Sequence, residues 1–372
     1  CEFQDTSLHV YSSASLPPLR SSNRMTSLIL SLSNKVSSDE FYRLGHWRDQ
    51  TIYAIARAHA EQIPEGFALR DQARRLTWRA LVDATDRFAA DLNGRGVVAG
   101  QRVALWMPDR IESVVALLAC SRNGLVCCPS PHRNHTVSDV VALLERMRAA
   151  SLIYQDGFGA DGSQHDIESA IADLGFLRHF CRLTPHVPAG VAPPFQGHLA
   201  EASVDFAAMP PATDPDAVVY IAFTSGSTGA PKGVMHSDNS LLVTARGIST
   251  DWHISRHSVV YSLSPFSHNL GIGALLTAIY SAAEFVIHDI SRGDSLVDRL
   301  IETDTSYLVG VPTHAIDLLA EIRERDLSAV GRLTGFRISG AAVPFHVIAD
   351  LIPYGIIPQS GYGMTETNGH QY

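Results

Sequence analysis

Short apolar runs alternate with segments of helical periodicity over most of the chain. The apolar runs predict buried strands at residues 103–107, 125–128, 151–154, 217–223, 259–262, 285–287, 306–309 and 336–338. The periodic segments predict amphipathic helices at residues 49–62, 77–92, 110–123, 137–149, 239–248 and 312–325. Residues 67–70 and 74–77 predict a short hairpin. Strands that alternate with helices predict an α/β fold with parallel, doubly wound sheets.

Two segments interrupt this alternation. Residues 1–24 are rich in Ser and Pro and lack the apolar stretch of a secretory signal, so we expect a disordered leader or upstream sequence there. Residues 184–216 carry repeated Pro and Ala with little periodicity, which predicts a connector.

Composition excludes several classes of protein. A chain of 372 residues that is 45% hydrophobic can bury a large core. The net charge of −9 argues against nucleic acid as a main partner, because phosphate backbones are bound by basic surfaces. No apolar run reaches the roughly 18–20 residues that a transmembrane helix needs.

The five cysteines have neither an even count nor the spacing of a disulfide scaffold. Cys120, Cys127 and Cys128 lie in apolar runs, which is typical of reduced core thiols in a cytoplasmic protein. His132 and His135 form an isolated pair without the partners of a zinc site, so we predict that they bind no metal.

The strongest chemical signal is the segment 224–233, Thr-Ser-Gly-Ser-Thr-Gly-Ala-Pro-Lys-Gly, which directly follows a predicted buried strand. Small residues let backbone N–H groups approach phosphate oxygens, hydroxyls donate further hydrogen bonds, and Lys232 supplies positive charge. The segment is not the loop of P-loop nucleoside triphosphatases, because Gly233 stands where that loop requires Ser or Thr. It predicts a nucleotide-phosphate loop of another kind.

A second candidate segment is 359–367, Gln-Ser-Gly-Tyr-Gly-Met-Thr-Glu-Thr. The ring of Tyr362 can stack on a purine, the hydroxyl of Thr365 can donate to a phosphate, and the carboxylate of Glu366 can bind a hard cation.

Together these two segments resemble the signatures of the adenylate-forming superfamily, which includes acyl-CoA synthetases, aryl-acid ligases, luciferases and peptide-synthetase adenylation domains. Further segments are similar to weaker motifs of that family: 96–129, with Gln101 where Asp is usual, and 309–313.

Residues 264–271 resemble the motif whose aromatic or His residue, here His268, lines the carboxylate-entry side of the acyl pocket. A lone His beside Phe and Leu is more often simply a core residue. Residues 337–344 resemble the family turn whose small residues lie against adenine and acyl chain, although Gly340 would equally serve a tight turn.

The resemblance implies two packed, doubly wound α/β subdomains at 45–200 and 201–372, with the nucleotide site near their junction. It implies ATP-dependent conversion of a carboxylic acid to acyl-AMP, then thioester formation with coenzyme A, and Mg2+ carried in with ATP. The catalytic residues implied are Thr228, Lys232, His268 and Glu366, with Thr228 and Glu366 positioning the metal. The implied cofactor-binding residues are Thr224, Ser225, Gly226, Ser227, Thr228, Gly229, Lys232, Gly340, Ala341, Ala342, Gly361, Tyr362, Gly363 and Thr365.

Two alternatives stay open. The acceptor could be the phosphopantetheine of a carrier protein, although the early segment 45–52 resembles carboxylate-CoA ligases and favours coenzyme A. The sequence ends six residues after Glu366, and the ribose-binding Asp, hinge and C-terminal lid domain of the family do not follow. On that ground we expect impaired catalysis, and a non-catalytic nucleotide-binding fragment is the alternative of another class. The acid and the oligomeric state are not predicted.

Overall fold

The computed structural model describes residues 34–129, 132–185, 193–199, 209–224, 231–291 and 293–368. The predicted leader at 1–24 lies outside these residues. The helices are α1 Lys35–Arg43, α2 Ile52–Gln62, α3 Trp78–Gly94, α4 Ile111–Asn123, α5 Val137–Met147, α6 Ile167–Ile171, α7 Asp238–Asp251, α8 Asn269–Tyr280, α9 Leu296–Glu302, α10 Pro312–Glu324 and α11 Phe345–Leu351. The strands are β1 Phe67–Arg70, β2 Arg75–Thr77, β3 Arg102–Trp106, β4 Val126–Cys128, β5 Ser151–Gln155, β6 His179–Leu183, β7 Val218–Thr224, β8 Lys232–Ser237, β9 Val259–Ser262, β10 Glu284–Val286, β11 Tyr307–Gly310, β12 Gly335–Ile338 and β13 Ile357–Ser360.

The strands form two sheets. One has seven strands in the order β13-β12-β11-β9-β10-β1-β2, and the other has six in the order β6-β5-β3-β4-β7-β8. Pairing is parallel except for the hairpins β1–β2 and β7–β8. The predicted α/β class is confirmed. Parallel strands require crossover connections, and helices supply them.

Every predicted strand and helix has a counterpart within a few residues. Thr77 caps α3, since its side chain accepts a hydrogen bond from the backbone N–H of Ala80. Gly124 ends α4 in the left-handed conformation, which glycine adopts without strain. The described parts of the connector, 184–185, 193–199 and 209–216, contain neither helix nor strand.

One predicted connection was wrong. The phosphate loop was expected to lead from a strand into the helix at 239–248, but it closes an antiparallel hairpin between β7 and β8. Residues 232–237 are half-exposed and include a glycine, so they lack the apolar run by which the other strands were predicted. Helix α7 begins only after this extra strand.

Neither sheet is built only from strands that are consecutive in the sequence. The hairpin β1–β2 joins the seven-stranded sheet, whose other strands all come from the second half of the sequence. The hairpin β7–β8 joins the six-stranded sheet, whose other strands come from the first half. Each sheet therefore takes strands from both sides of residue 200, and the domain bounds 45–200 and 201–372 remain a prediction.

Buried polar groups connect the parts of the fold. Asp238, the first residue of α7, accepts hydrogen bonds from the backbone N–H of Ile52 at 2.9 Å and from the hydroxyl of Ser121 at 3.1 Å. The guanidinium of Arg74, next to β2, binds Glu112 on α4 at 2.6 Å. These contacts hold α2, α4, α7 and the first hairpin in one arrangement.

Cys120, Cys127, Cys128 and Cys181 are buried free thiols, which confirms the prediction for the first three. In the described part of the chain, no helix combines the length and apolar character that crossing a bilayer requires.

Candidate active site

A cavity of about 780 Å³ lies where the carboxyl ends of strands from both sheets meet. Loops after β3, β4, β7, β9 and β10 line it, which is the usual position of ligand sites in open α/β sheets. Three residues predicted from the sequence line this cavity: Thr224, His268 and Thr365. They come from three separate motifs, and only the tertiary fold brings them together.

The two ends of the phosphate loop lie at this cavity. Thr224, the last residue of β7, pairs with Lys232, the first residue of β8, and Pro231 also lines the cavity. Lys232 is exposed, so its ammonium is accessible to an anion. Residues 225–230, which include the predicted Ser225, Gly226, Ser227, Thr228 and Gly229, lie outside the described residues.

The segment that carries Thr365 is fixed by its backbone. His236 on β8 is buried, and its Nε2 donates to the carbonyl oxygen of Thr365 at 2.8 Å. Burial lowers the pKa of His236, so the ring is neutral at physiological pH. Asn269 at the start of α8 donates its Nδ2 to the carbonyl oxygen of Met364 at 2.8 Å. Strand β8 and helix α8 thus hold the same loop from two directions.

The other predicted residues that the structure describes are not among those that line the cavity. Gly340, Ala341 and Ala342 follow β12 and are exposed, and Tyr362 is 70% exposed. Ser339 donates its hydroxyl to the carbonyl oxygen of Gly361 at 2.8 Å, so the turn after β12 and the loop after β13, with Gly363, are neighbours. Gly340 has a φ of +93°, a conformation that favours glycine, and this confirms its suitability for a tight turn.

A metal ion fits one predicted position. In the described ranges, no three His, Cys, Asp or Glu side chains are grouped closely enough to hold an ion by themselves. Glu366 is an exposed carboxylate next to Thr365. Mg2+ typically binds one or two protein carboxylates together with phosphate oxygens of the substrate, so a single carboxylate here is compatible with Mg2+ that arrives with a nucleotide.

Sequence reasoning missed a cluster of histidines in the cavity wall. His132 and His135, in the loop after β4, line the cavity together with His268. The rings of His132 and His268 stack with centroids 4.8 Å apart and planes 16° from parallel. These residues follow the carboxyl end of a predicted buried strand, and that position was the signal that could have identified them.

Asp109 is a second residue that the sequence did not identify. It lies between β3 and α4 in the cavity wall, and both its carboxylate oxygens accept from the backbone N–H of Phe266, at 3.1 and 3.2 Å. Burial raises the pKa of Asp109 to about 7, although the hydrogen bond from Phe266 opposes the shift. Asp109 therefore anchors the loop that carries His268.

The raised pKa predicts an effect of pH on stability. The folded state holds a proton on Asp109 that the unfolded state releases near its ordinary pKa of 3.8, so this group makes the protein less stable as pH rises from about 4 through 7. We expect Asp109→Asn to be as stable as wild type near pH 4 and more stable near pH 8, by on the order of 1–4 kcal/mol. Urea unfolding of both proteins at both pH values measures this.

Burial also raises the pKa of Asp238 to about 7. Asp238 is present in both proteins, so its contribution cancels when the unfolding free energy of wild type is subtracted from that of the variant. If the stability difference between Asp109→Asn and wild type did not change with pH, the raised pKa of Asp109 would be contradicted.

The loop before α8 depends on the absence of a side chain at Gly271. A Cβ atom there would lie 2.2 Å from the carbonyl oxygen of Pro265 and 2.3 Å from that of Ser264. We expect Gly271→Ala to destabilise the protein by about 1–3 kcal/mol, because the loop or the helix must move.

Gly273 lies on the same helix with open space around its Cβ position, so Gly273→Ala is the matched control. It should be neutral or stabilising, by up to about 1 kcal/mol, since alanine favours helix. Denaturant unfolding compares the two variants, and equal effects would disprove the close contact.

The chain resembles known proteins in sequence and in fold. Residues 56–372 match the AMP-binding enzyme family. The chain is 30% identical to a 3-[(3aS,4S,7aS)-7a-methyl-1,5-dioxo-octahydro-1H-inden-4-yl]propanoyl:CoA ligase of Mycobacterium tuberculosis, over 86% of this chain and 63% of that protein. It is 25% identical to a medium-chain fatty-acid–CoA ligase of Escherichia coli, over 88% of this chain and 57% of that protein. The chain therefore spans about three fifths of the length of these curated relatives.

Solved structures agree in fold. The inhibitor-bound N-terminal domain of FACL13 from Mycobacterium tuberculosis superposes with a TM-score of 0.73 at 20% identity, covering 86% of this chain and 77% of that one. O-succinylbenzoate Coenzyme A synthetase from Bacillus subtilis, in complex with AMP, superposes with a TM-score of 0.70 at 20% identity, covering 86% and 60%. The recognition made from the two sequence motifs is confirmed: the chain belongs to the AMP-binding enzyme family.

Proposed function

We propose that this chain carries the site for ATP-dependent activation of a carboxylic acid, followed by transfer of the acyl group to the thiol of coenzyme A. The observation that supports this most is the convergence of Thr224, His268 and Thr365 on one cavity. These residues come from the segments that resemble, respectively, phosphate-binding, acid-binding and nucleotide-binding motifs. The CoA ligases among the relatives favour coenzyme A over a carrier protein as acceptor.

The chemistry divides into two displacements. A carboxylate oxygen of the acid attacks the α-phosphorus of ATP, and pyrophosphate leaves, giving acyl-AMP. The thiol sulfur then attacks the acyl carbon, AMP leaves, and the thiol proton is released. A carboxylate alone is a poor acyl donor, and the mixed anhydride provides a good leaving group.

The chain's own residues neutralise charge and align the reactants. In this proposal the hairpin loop from Thr224 to Lys232 holds the β- and γ-phosphates, and Lys232 contributes a positive charge. Thr365 contacts the α-phosphate, Tyr362 packs on adenine, and His268 faces the acid. Mg2+, held by Thr228 and Glu366, would neutralise charge on the phosphate oxygens.

Pyrophosphate exchange into ATP tests the first displacement. We expect exchange that depends on both the acid and Mg2+, and a screen of aliphatic, alicyclic and aromatic acids identifies the class. ATP binding without exchange for any acid would contradict catalysis and support a nucleotide-binding module. Incubation with labelled acid, coenzyme A and a carrier protein then shows which thiol receives the acyl group.

A further inference from the structure

The ring of His268 stacks on the ring of His132, and hydrogen bonds hold the His268 backbone. Its backbone is fixed, since its N–H donates to the carbonyl oxygen of Pro265 at 3.0 Å and its own carbonyl accepts from the N–H of Ile272 at 3.0 Å. Among the described residues, neither ring nitrogen has a hydrogen-bond partner. The His268 side chain lines the cavity, and its ring lies 4.8 Å from the ring of His132, centroid to centroid.

His132, in contrast, is held at several points. Its Nδ1 lies 3.0 Å from the hydroxyl of Ser267, the residue before His268. Its backbone N–H donates to Nδ1 of His135 at 2.8 Å, and the rings of His132 and His135 lie 5.3 Å apart. The loop after β4 thus presents a fixed imidazole to the loop after β9.

The stacked rings are both neutral. Burial, together with smaller effects of the neighbouring His268 and His135, lowers the pKa of His132 to about 4. Burial also lowers the pKa of His268. Neutral imidazoles stack without the repulsion that two imidazolium ions would suffer.

We propose that His132, anchored by Ser267, is a positioning residue that holds the His268 imidazole in the plane from which it meets the substrate acid. The inference rests on the proposed function for the role of His268, but the positioning itself is a property of the folded chain. Without the stack, His268 would rotate about its side-chain bonds and spend less time in the productive orientation.

Four variants of the full chain test this. His132→Ala removes the stacked ring, His132→Phe keeps a flat ring but loses the contact with Ser267, and Ser267→Ala removes the anchor alone. His257→Ala, an exposed histidine before β9, is the matched control. Long-range 1H–15N spectra report the tautomer and environment of the His268 ring, and acid-dependent pyrophosphate exchange reports KM and kcat for acid and for ATP.

We expect His132→Ala to shift the His268 ring resonances and to lower kcat/KM for the acid by roughly three- to tenfold, with the KM for ATP unchanged. His132→Phe and Ser267→Ala should give smaller changes in the same direction, and His257→Ala none.

Unchanged His268 resonances in His132→Ala would overturn the proposal. The proposal would also be overturned if His132→Ala lowered kcat/KM equally for acid and for ATP and lowered the melting temperature, because that pattern indicates a merely structural role. If wild type shows no exchange with any acid, the proposed function fails, and the spectra still decide whether His132 positions His268.

Discussion

Arg74→Met is expected to destabilise the folded protein by about 3–5 kcal/mol, because it removes the cation that two buried carboxylates share. The Arg74 guanidinium binds Asp71 at 2.8 Å and Glu112 at 2.6 Å, and all three side chains are at most 5% exposed. Arg110 binds the same Glu112 at 2.8 Å. This network joins the β1–β2 hairpin of the seven-stranded sheet to helix α4, which packs against the other sheet.

The pKa of Glu112 shows how strongly the network favours its ionised form. Burial alone would raise this pKa, but the hydrogen bonds and charges of Arg74 and Arg110 lower it to about 2. A folded pKa below the ordinary value of 4.5 means that this stabilisation is complete above that value and is lost as pH falls towards 2. The loss of unfolding free energy in Arg74→Met should therefore be measured at neutral pH, where it is largest.

The control is Arg79→Met. Arg79 binds Glu65 at 2.8 Å, but these side chains are 58% and 75% exposed, so we expect a loss below about 1 kcal/mol. Urea unfolding at pH 7 compares the two variants. If Arg74→Met and Arg79→Met lost similar amounts of unfolding free energy, the buried network would not be what holds the sheets together.

Glu366→Gln is expected to lower acid-dependent pyrophosphate exchange by about 10²–10³-fold, the effect typical of removing one electrostatic contact from a reacting group. The amide keeps the size of the side chain but removes the charge that would bind Mg2+ beside the phosphates. Glu366 is exposed, so its replacement should leave the melting temperature unchanged. Exchange rates measured at saturating acid and varied Mg2+ test the prediction.

Glu324→Gln is the matched control, since Glu324 is an exposed glutamate on α10 and lies outside the cavity wall. It should exchange at the wild-type rate. Full activity in Glu366→Gln would exclude Glu366 as the metal-binding carboxylate, without bearing on the acceptor thiol.

Local sequence determined most of the secondary structure. Amphipathic helices such as α3 were predicted, because the burial of one face repeats every three to four residues. Helix α8 was missed for the opposite reason: ten of its twelve residues are buried, so it has no polar face and no periodic signal. Strand β13 was missed because it is partly exposed and contains Pro358.

The motifs predicted which segments carry the candidate site, but not which residues surround them. The phosphate segment and the segment at 359–367 were recognised from residue type and spacing, since phosphate binding requires small residues, hydroxyls and a cation in one short loop. Asp109 and His132 have no such local signature. Each became a candidate only when the fold placed it against the loop that carries His268.

The sequence by itself thus determined the α/β class and the family, and it predicted the segments of the candidate site. Only the tertiary structure decided that the hairpin β1–β2 joins the sheet built from the second half of the chain, and that β7–β8 joins the sheet built from the first half. It also decided that His132 contacts Ser267, 135 residues further along, and the adjacent His268. The physical reason is that periodicity and motif chemistry depend on neighbours in the chain. Strand partners and cavity walls depend instead on packing between distant segments, which no local pattern records.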